Sequence, residues 1–140
     1  MSRITRFEDL VAWQKARALA AAIGRVSAGA NFSRDYSLRN QIRSAANSVP
    51  ANIAEGFERY RLREFHQFLS IAKASCAEVR SHLYVAFDLE YISEELLRRL
   101  MNQAEEVGRI VGKLRAAIQH QLQLRTQNSG LRTPRRANST

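Results

Sequence analysis

The sequence predicts an all-α protein: an antiparallel up-down-up-down four-helix bundle with a disordered basic C-terminal tail. Apolar residues recur at helical spacing in four long segments, the connections between the last three are short, and no segment alternates as a β-strand does. The 140 residues suffice for one core, and only 2 prolines and 6 glycines interrupt a helix-forming composition. We therefore expect the bundle to cover residues 1–125 and the tail to cover residues 126–140.

The first predicted helix covers about residues 8–28 and carries two adjoining apolar stripes. Members of the first stripe are three or four residues apart: Leu10, Trp13, Ala16, Ala20 and Ile23. The second stripe is also helical in spacing: Val11, Ala18, Ala22 and Val26. So many alanines on a wide stripe indicate that neighbouring helices approach closely on more than one side. Trp13 is expected to anchor the core or an interface.

The second predicted helix covers about residues 35–55, with Asp35 near its N-cap. One face is apolar: Leu38, Ile42, Ala45, Ala46, Val49 and Ile53. Pro50 has no N–H and crowds the carbonyl four residues earlier, which predicts a helix that is bent or restarted at Val49–Pro50. Gly56 is predicted to end the helix, because glycine readily adopts the left-handed conformation.

The third and fourth predicted helices cover about residues 62–89 and 93–124, and both have nearly heptad apolar seams. The seam of the third contains Phe65, Phe68, Leu69, Ala72, Cys76, Val79, Leu83, Ala86 and Phe87. The seam of the fourth contains Leu97, Leu100, Ala104, Val107, Val111, Leu114 and Ile118. Ser93 is a good N-cap, and acids follow it in the first turn. Cys76 is expected to be a buried, unreactive thiol.

The chain is basic, with 22 Lys+Arg against 13 Asp+Glu and a formal net charge of +9. Such a charge favours RNA, DNA or an acidic protein as partner, and a solvated basic surface without a partner is equally compatible with it. No apolar run is long enough to cross a bilayer and no signal-peptide core follows the N-terminus, so the cytoplasm is the expected location. One cysteine cannot form an internal disulfide or a paired-cysteine zinc site.

Two groups of arginines are candidates for nucleic-acid binding. Arg39 and Arg43 are four residues apart and are predicted to share an exposed face of the second helix. The other group crowds the loop before the third helix: Arg59, Arg61 and Arg63. The nearest aromatic residues that could stack on bases are Tyr36 and Tyr60. The pattern indicates contacts to the phosphate backbone with little sequence preference.

A set of polar residues surrounds the proline of the second helix and continues into the third: Ser48, Asn52, Glu55, Gly56, Arg59, Ser75 and Glu78. One interpretation is a functional site. The favoured interpretation is a structural network that satisfies the carbonyl left free by Pro50 and links the two helices. Such a network would also contribute to a subunit contact, and it would fix one register among several helix packings.

Residues 41–56 (QIRSAANSVPANIAEG) resemble the signature of the four-helix-bundle proteins encoded by intervening sequences in 23S rRNA genes. Flanking segments agree in order, so the resemblance covers about residues 7–118. It implies an antiparallel four-helix bundle that assembles as a homopentameric ring. It also implies similarity to the basic accessory proteins of diversity-generating retroelements, which bind nucleic acid. Ala74 and Arg80 depart from the family pattern, where a glycine and an acid are common.

Enzymatic and metal-dependent functions receive less support. A di-iron bundle needs Glu-x-x-His pairs, and no histidine follows a glutamate by three residues, so no metal, cofactor or catalytic residue is expected. Arg61 and His66 resemble the Arg-x4-His motif of HEPN ribonucleases, in which histidine transfers protons and arginine stabilises charge. We therefore expect a non-enzymatic, self-associating bundle that binds RNA or DNA. The alternatives are a metal-independent ribonuclease and a protein-interaction scaffold.

Overall fold

The computed structural model describes residues 3–132, with side chains described for residues 3–128. This part of the chain forms four α-helices: α1 (Val11–Val26), α2 (Tyr36–Glu58), α3 (Leu62–Asp88) and α4 (Glu94–Arg132). Short 3₁₀ turns precede α1 and α2. Each helix packs against the next in sequence and α4 packs back against α1, which is the neighbour relation of an up-down-up-down bundle. The predicted fold class is confirmed.

All four helices contribute to one apolar core. Its largest fully buried side chains include Leu19, Ile23, Ile42, Ile53, Leu69, Leu83, Val107 and Val111. Burying each Leu or Ile side chain stabilises the fold by about 1.5–3 kcal/mol, so this core supplies the main driving force for folding. Cys76 belongs to the core and is 2% exposed, as predicted. Trp13 packs at the edge of the core, with the centroid of its ring 5.2 Å from the centroid of the Phe7 ring.

The predicted N-caps of α2 and α4 are confirmed. Asp35 Oδ1 accepts a hydrogen bond from the Leu38 N–H at 3.0 Å, and Ser93 Oγ accepts one from the Leu96 N–H at 3.1 Å. The second carboxylate oxygen of Asp35 accepts a 3.0 Å hydrogen bond from the Tyr91 hydroxyl, which raises the pKa of Tyr91. This bond ties the α3–α4 connection to the start of α2.

The predicted stop at Gly56 is wrong, because α2 passes through this residue and continues to Glu58. Gly56 is buried where α2 crosses α3, and a Cβ there would lie 2.6 Å from the Cβ of Phe68. The position needs glycine because the helices approach closely. The left-handed residue after the helix is Tyr60 instead, with φ of 57°. Nor does α2 restart at Val49–Pro50, since one helix includes both residues.

The ends of α1 and α4 also differ from the predicted bounds. Residue 8 lies in a 3₁₀ turn, and Leu10 has extended backbone (φ −72°, ψ 125°), so α1 begins at Val11. At the other end of the chain, α4 continues beyond the predicted end at residue 124 to Arg132. Residues 126–132 are mostly weak helix formers, so their own propensity does not predict this extension; it continues an established helix, whose propagation requires no new nucleus. The rest of the predicted tail, residues 133–140, lies outside the described residues.

Candidate nucleic-acid interface

The two arginines predicted on an exposed face of α2 are half-buried and hold the α1–α2 connection. The Arg43 Nε–H donates to Ser27 Oγ at 2.7 Å, and its Nη2 donates to the Gly24 carbonyl at 3.1 Å. Arg39 Nη1 donates to the Ser33 carbonyl at 3.0 Å. Carbonyls at the C-terminal end of a helix lack intrahelical donors, so the Arg43 guanidinium donates to the Gly24 carbonyl instead of extending into solvent. The prediction of one exposed basic face is therefore wrong.

The three arginines predicted around the α2–α3 loop do not form one cluster. Arg59 Nη2 lies 3.2 Å from Glu55 Oε1, and its guanidinium lies over the Phe68 ring. Arg61 is 82% exposed, with its Nε 4.0 Å from a carboxylate oxygen of Glu64. Arg63 is also exposed, in the first turns of α3. All three are exposed, and Arg59 differs from the other two in that its guanidinium is already 3.2 Å from a carboxylate oxygen.

Three members of the predicted polar set form a network between α2 and α3. Ser75 Oγ donates to Ser48 Oγ at 2.9 Å, and Asn52 Nδ2 donates to the same oxygen at 2.8 Å. Asn52 also donates to the Ser48 carbonyl at 2.7 Å. Pro50 frees the carbonyl of Ala46, which none of these bonds satisfies, whereas the bond between Ser75 and Ser48 does link the two helices.

The remaining members of the polar set lie elsewhere. Glu55 is exposed and pairs with Arg59 on the surface. Glu78 is exposed on α3, and Gly56 contributes close helix packing rather than a polar contact. The three-residue network is consistent with the favoured structural interpretation, because its hydroxyl and amide groups are turned to each other between two helices.

A strongly basic concave surface lies between α3 and α4, with a volume of about 600 Å³. Small residues form its floor: Ala74, Ala77, Ala104 and Gly108. Lys73 and Arg80 of α3 and Arg109 and Arg115 of α4 contribute cations, against the one carboxylate of Glu105. We call this surface the α3–α4 groove. Both departures from the family pattern noted in the sequence, Ala74 and Arg80, line it.

The cations of the α3–α4 groove are held by few protein partners. Arg80 Nη2 lies 3.9 Å from Glu105 Oε1, and its buried Nε has no hydrogen-bond partner among the residues that the structure describes. The Arg115 Nε–H donates to Ser70 Oγ at 2.7 Å. The ammonium group of Lys73 occupies the space beside Gly112, 3.0 Å from where a Cβ would stand. Several N–H groups therefore remain available to an anion.

Helical spacing explains how the α3–α4 groove arises. On α3, Lys73, Ala77 and Arg80 follow at i, i+4 and i+7, so a small residue separates two cations on one face. Of the groove's four cationic residues, only Arg80 was noted from the sequence, as a departure from the family pattern. This spacing beside the apolar seam was the signal that could have identified the surface.

The two residues of the ribonuclease alternative line different clefts. Arg61 lines a cleft with Tyr60 and Leu62, whereas His66 lines another with Arg63 and Gln119. Within residues 3–128 there is no group of three or more His, Cys, Asp or Glu side chains that could hold a metal ion. None of the helices in the described range combines the length and the apolar character needed to cross a membrane.

Burial governs the chemistry of the single thiol. It raises the pKa of Cys76 to about 11, although Lys73 and Arg80 nearby act in the opposite direction. The reactive thiolate is therefore scarce at neutral pH. This agrees with the predicted inert thiol.

Comparison with solved structures finds the same fold in a relative. A protein of unknown function from the S23 ribosomal protein family of Bacteroides thetaiotaomicron VPI-5482 matches with a TM-score of 0.68 and 22% identity, over 74% of this chain and 97% of that one. Comparison with curated proteins gives no significant match. Residues 8–113 match the sequence model described as 23S rRNA-intervening sequence protein. The chain therefore belongs to the 23S rRNA-intervening sequence protein family.

Proposed function

We propose that this protein is a non-enzymatic, self-associating bundle that binds the phosphate backbone of RNA or DNA through the α3–α4 groove. The observation that carries the proposal is the composition of that groove, in which four cationic side chains face one carboxylate. A concave surface with low-dielectric walls concentrates the field of such charges. Each phosphate that a cation neutralises releases counterions and adds to the affinity.

We expect the groove to contact the phosphate backbone of the nucleic acid rather than its bases. The side chains that line the α3–α4 groove include no aromatic ring, so nothing there offers a stacking platform for bases. Arginine and lysine on phosphate oxygens position a nucleic acid without reading its sequence. Arg61 and Arg63 are exposed but line other clefts, and Arg39, Arg43 and Arg59 already have protein partners, so we expect the groove to contribute most.

Self-association as a homopentamer is the second part of the proposal. Four large side chains with apolar surface are exposed at the end of α3 and support it: Tyr84, Val85, Phe87 and Leu89. Several such side chains close together along the chain are typical of interaction surfaces. Repetition of the groove around a ring would multiply the phosphates neutralised. Light scattering should give five times the chain mass, and a monomer mass at micromolar concentration would contradict this part.

The test of nucleic-acid binding is fluorescence anisotropy with structured RNA and duplex DNA across a salt series. In the groove variant, Lys73, Arg80, Arg109 and Arg115 are all replaced by Gln. We expect its affinity to fall at least 100-fold at low salt, and the slope of log affinity against log salt to decrease by about 3–4. The matched control replaces four exposed arginines outside the groove: Arg17, Arg25, Arg98 and Arg125.

The two variants remove the same net charge, so their difference isolates the groove. Equal losses would show that total charge, not the α3–α4 groove, determines affinity. No binding by the unmodified protein at low salt would overturn the proposal and favour the protein-interaction scaffold. Incubation with RNA should leave the strands intact, and cleavage that His66→Ala abolishes would favour the ribonuclease instead.

A further inference from the structure

A second concave surface lies at the end of the bundle where α2 meets α3, and its volume is about 710 Å³. We call it the end cleft; residues of the N-terminal segment, the α2–α3 loop and α4 line it. We propose that the end cleft binds one unstacked nucleotide, with the base on apolar side chains and the phosphate on Arg61 or Arg3. This inference rests on the proposed nucleic-acid binding, but it concerns a different surface from the α3–α4 groove and a different part of the ligand.

The floor of the end cleft is apolar and partly aromatic. The rings of Phe57 and Phe65 meet edge to face, with centroids 5.9 Å apart and planes at 85°. Leu62 and Ile118 complete this floor, and Ile4 stands exposed at the mouth. A concave apolar surface of this volume with a few polar groups is typical of small-molecule sites, and a flat heterocycle suits it.

Tyr60 offers the aromatic ring at the mouth of the end cleft. Its backbone φ is 57°, a left-handed conformation that disfavours residues with a Cβ by about 1–2 kcal/mol and that glycine adopts freely. Its side chain is 79% exposed, so burial does not repay that strain. The Tyr60 hydroxyl donates to Glu58 Oε2 at 3.2 Å, which gives the ring one fixed contact. An exposed ring held at a strained position is suited to stacking on an incoming base.

The charges of the end cleft favour an anion. Arg3 and Arg61 are the charged residues among those that line it, and none of the described lining residues is acidic. Two carboxylates reach lining residues from outside, Glu58 at the Tyr60 hydroxyl and Glu64 at a distance of 4.0 Å from Arg61 Nε. The Arg61 side chain is 82% exposed and can turn toward a phosphate. Thr5 and Gln121 supply neutral hydrogen-bonding groups.

The chemistry of the two surfaces is complementary. The α3–α4 groove has cations without aromatic rings, and the end cleft has aromatic and aliphatic side chains with two cations. A ligand with a planar apolar group and an adjacent phosphate satisfies the end cleft, and an unpaired nucleotide is such a ligand. In a nucleic acid, this preference would select loops, bulges or single strands over continuous duplex.

The experiment is a methyl NMR titration of the full chain with 5′-adenosine monophosphate as the probe. We expect chemical-shift changes at the methyl groups of Ile4, Leu62 and Ile118, and no such changes with ribose 5-phosphate, which lacks a base. Tyr60→Gly should weaken binding about tenfold, in the range of one lost base–aromatic stack. The variant should stay folded because glycine accepts this φ. Ile71→Ala, at an exposed apolar residue outside the end cleft, is the control and should bind as the unmodified protein does.

Absence of methyl shifts at millimolar nucleotide would overturn the inference. Equal binding by Tyr60→Gly and the unmodified protein would also overturn it, as would equal shifts with ribose 5-phosphate. The proposed function is judged separately by the salt dependence of polynucleotide binding in the groove variant. Nucleotide binding in the end cleft without polynucleotide binding would therefore support this inference and contradict the proposed function. Polynucleotide binding through the α3–α4 groove without nucleotide binding in the end cleft would support the proposed function and contradict this inference.

Discussion

Helix α3 has two neighbours, and it meets them in different ways. Against α2 the packing is close: a Cβ on Gly56 would collide with the Cβ of Phe68 at 2.6 Å, and it would lie 3.0 Å from Cδ1 of Phe65. Against α4 the packing is less close: a Cβ on Gly108 would stand 3.8 Å from the Cβ of Cys76, which is ordinary van der Waals contact. On both sides a glycine lies at the contact, but only on the α2 side is it required by the approach of the helices.

The difference shows how one helix can serve stability and binding together. The α2 side pairs its polar groups with each other, as in the hydrogen bond between Ser75 and Ser48. The α4 side leaves small residues at the floor of a groove and places cations along its walls. A binding surface needs such unfilled space, which contributes little to the stability of the fold. The stability must then come from another interface, here the one between α2 and α3.

The largest expected effect is that of Gly56→Ala. The added methyl group meets another Cβ, which cannot move without its helix, so we expect a loss of about 3 kcal/mol in the free energy of unfolding. Gly108→Ala is the matched control, and it should gain about 0.5–1 kcal/mol because alanine favours the helix. Urea denaturation measures both. Equal effects at the two glycines would contradict the contrast between the two sides of α3.

The next effect is a dependence of stability on pH. It tests how far water is excluded from the contact between α3 and α4 beneath the groove. The unfolded chain loses the Cys76 proton near pH 9, whereas the folded chain retains it until about pH 11. Stability from this group is therefore complete below pH 9 and is lost between about pH 9 and pH 11, by about 2–3 kcal/mol in total. Cys76→Ala should remove this part of the pH dependence in urea denaturation. An unchanged profile in the variant would show that the thiol is solvated.

A smaller effect is expected from the hydrogen bonds on the two sides of α3. Ser75→Ala removes the buried donor to Ser48, and we expect a loss of about 1 kcal/mol. Ser70→Ala removes the acceptor for Arg115 at the half-exposed groove, where water can replace it, so we expect a few tenths of a kcal/mol. Thermal denaturation of the two variants provides the comparison. A larger loss from Ser70→Ala would reverse the assignment of the stabilising side.

The smallest effect is expected from Gly112→Ala. The new methyl group would stand 3.0 Å from Lys73 Nζ and displace the ammonium group without removing its charge. We expect nucleic-acid affinity to fall about twofold to threefold with little change in the salt slope, because the number of cations is unchanged. The binding assay with the salt series measures this. A gain in affinity would show that Lys73 does not face the ligand from its present position.

The sequence was sufficient for features that depend on neighbours along the chain. The helical spacing of Leu38, Ile42 and Val49 predicted the buried face of α2, and Asp35 and Ser93 predicted two helix starts. Each of these features depends on residues within one or two turns, which periodicity and capping rules describe.

Features that depend on contacts between helices could not be predicted in the same way. Gly56 has the identity of a helix stop, but its role comes from Phe68 on another helix. Arg43 was predicted on an exposed face, but the carbonyl of Gly24 and the hydroxyl of Ser27 draw it inward. The α3–α4 groove needed knowledge of which faces of α3 and α4 adjoin, and a single sequence does not contain that information. The roles proposed for the predicted arginines stay predictions.

The position of Arg43 has a consequence for how this molecule meets a polyanion. Its guanidinium sits at the C-terminal end of α1, where the helix dipole is negative, so part of its field is compensated internally. A formal charge of +9 treats every arginine as equivalent. Long-range attraction between the protein and a polyanion would depend on the total charge. Close association depends instead on the few guanidinium and ammonium groups that have no acceptor within the described part of the protein. Protein engineering that adds positive residues indiscriminately would thus speed encounters more than it would prolong residence.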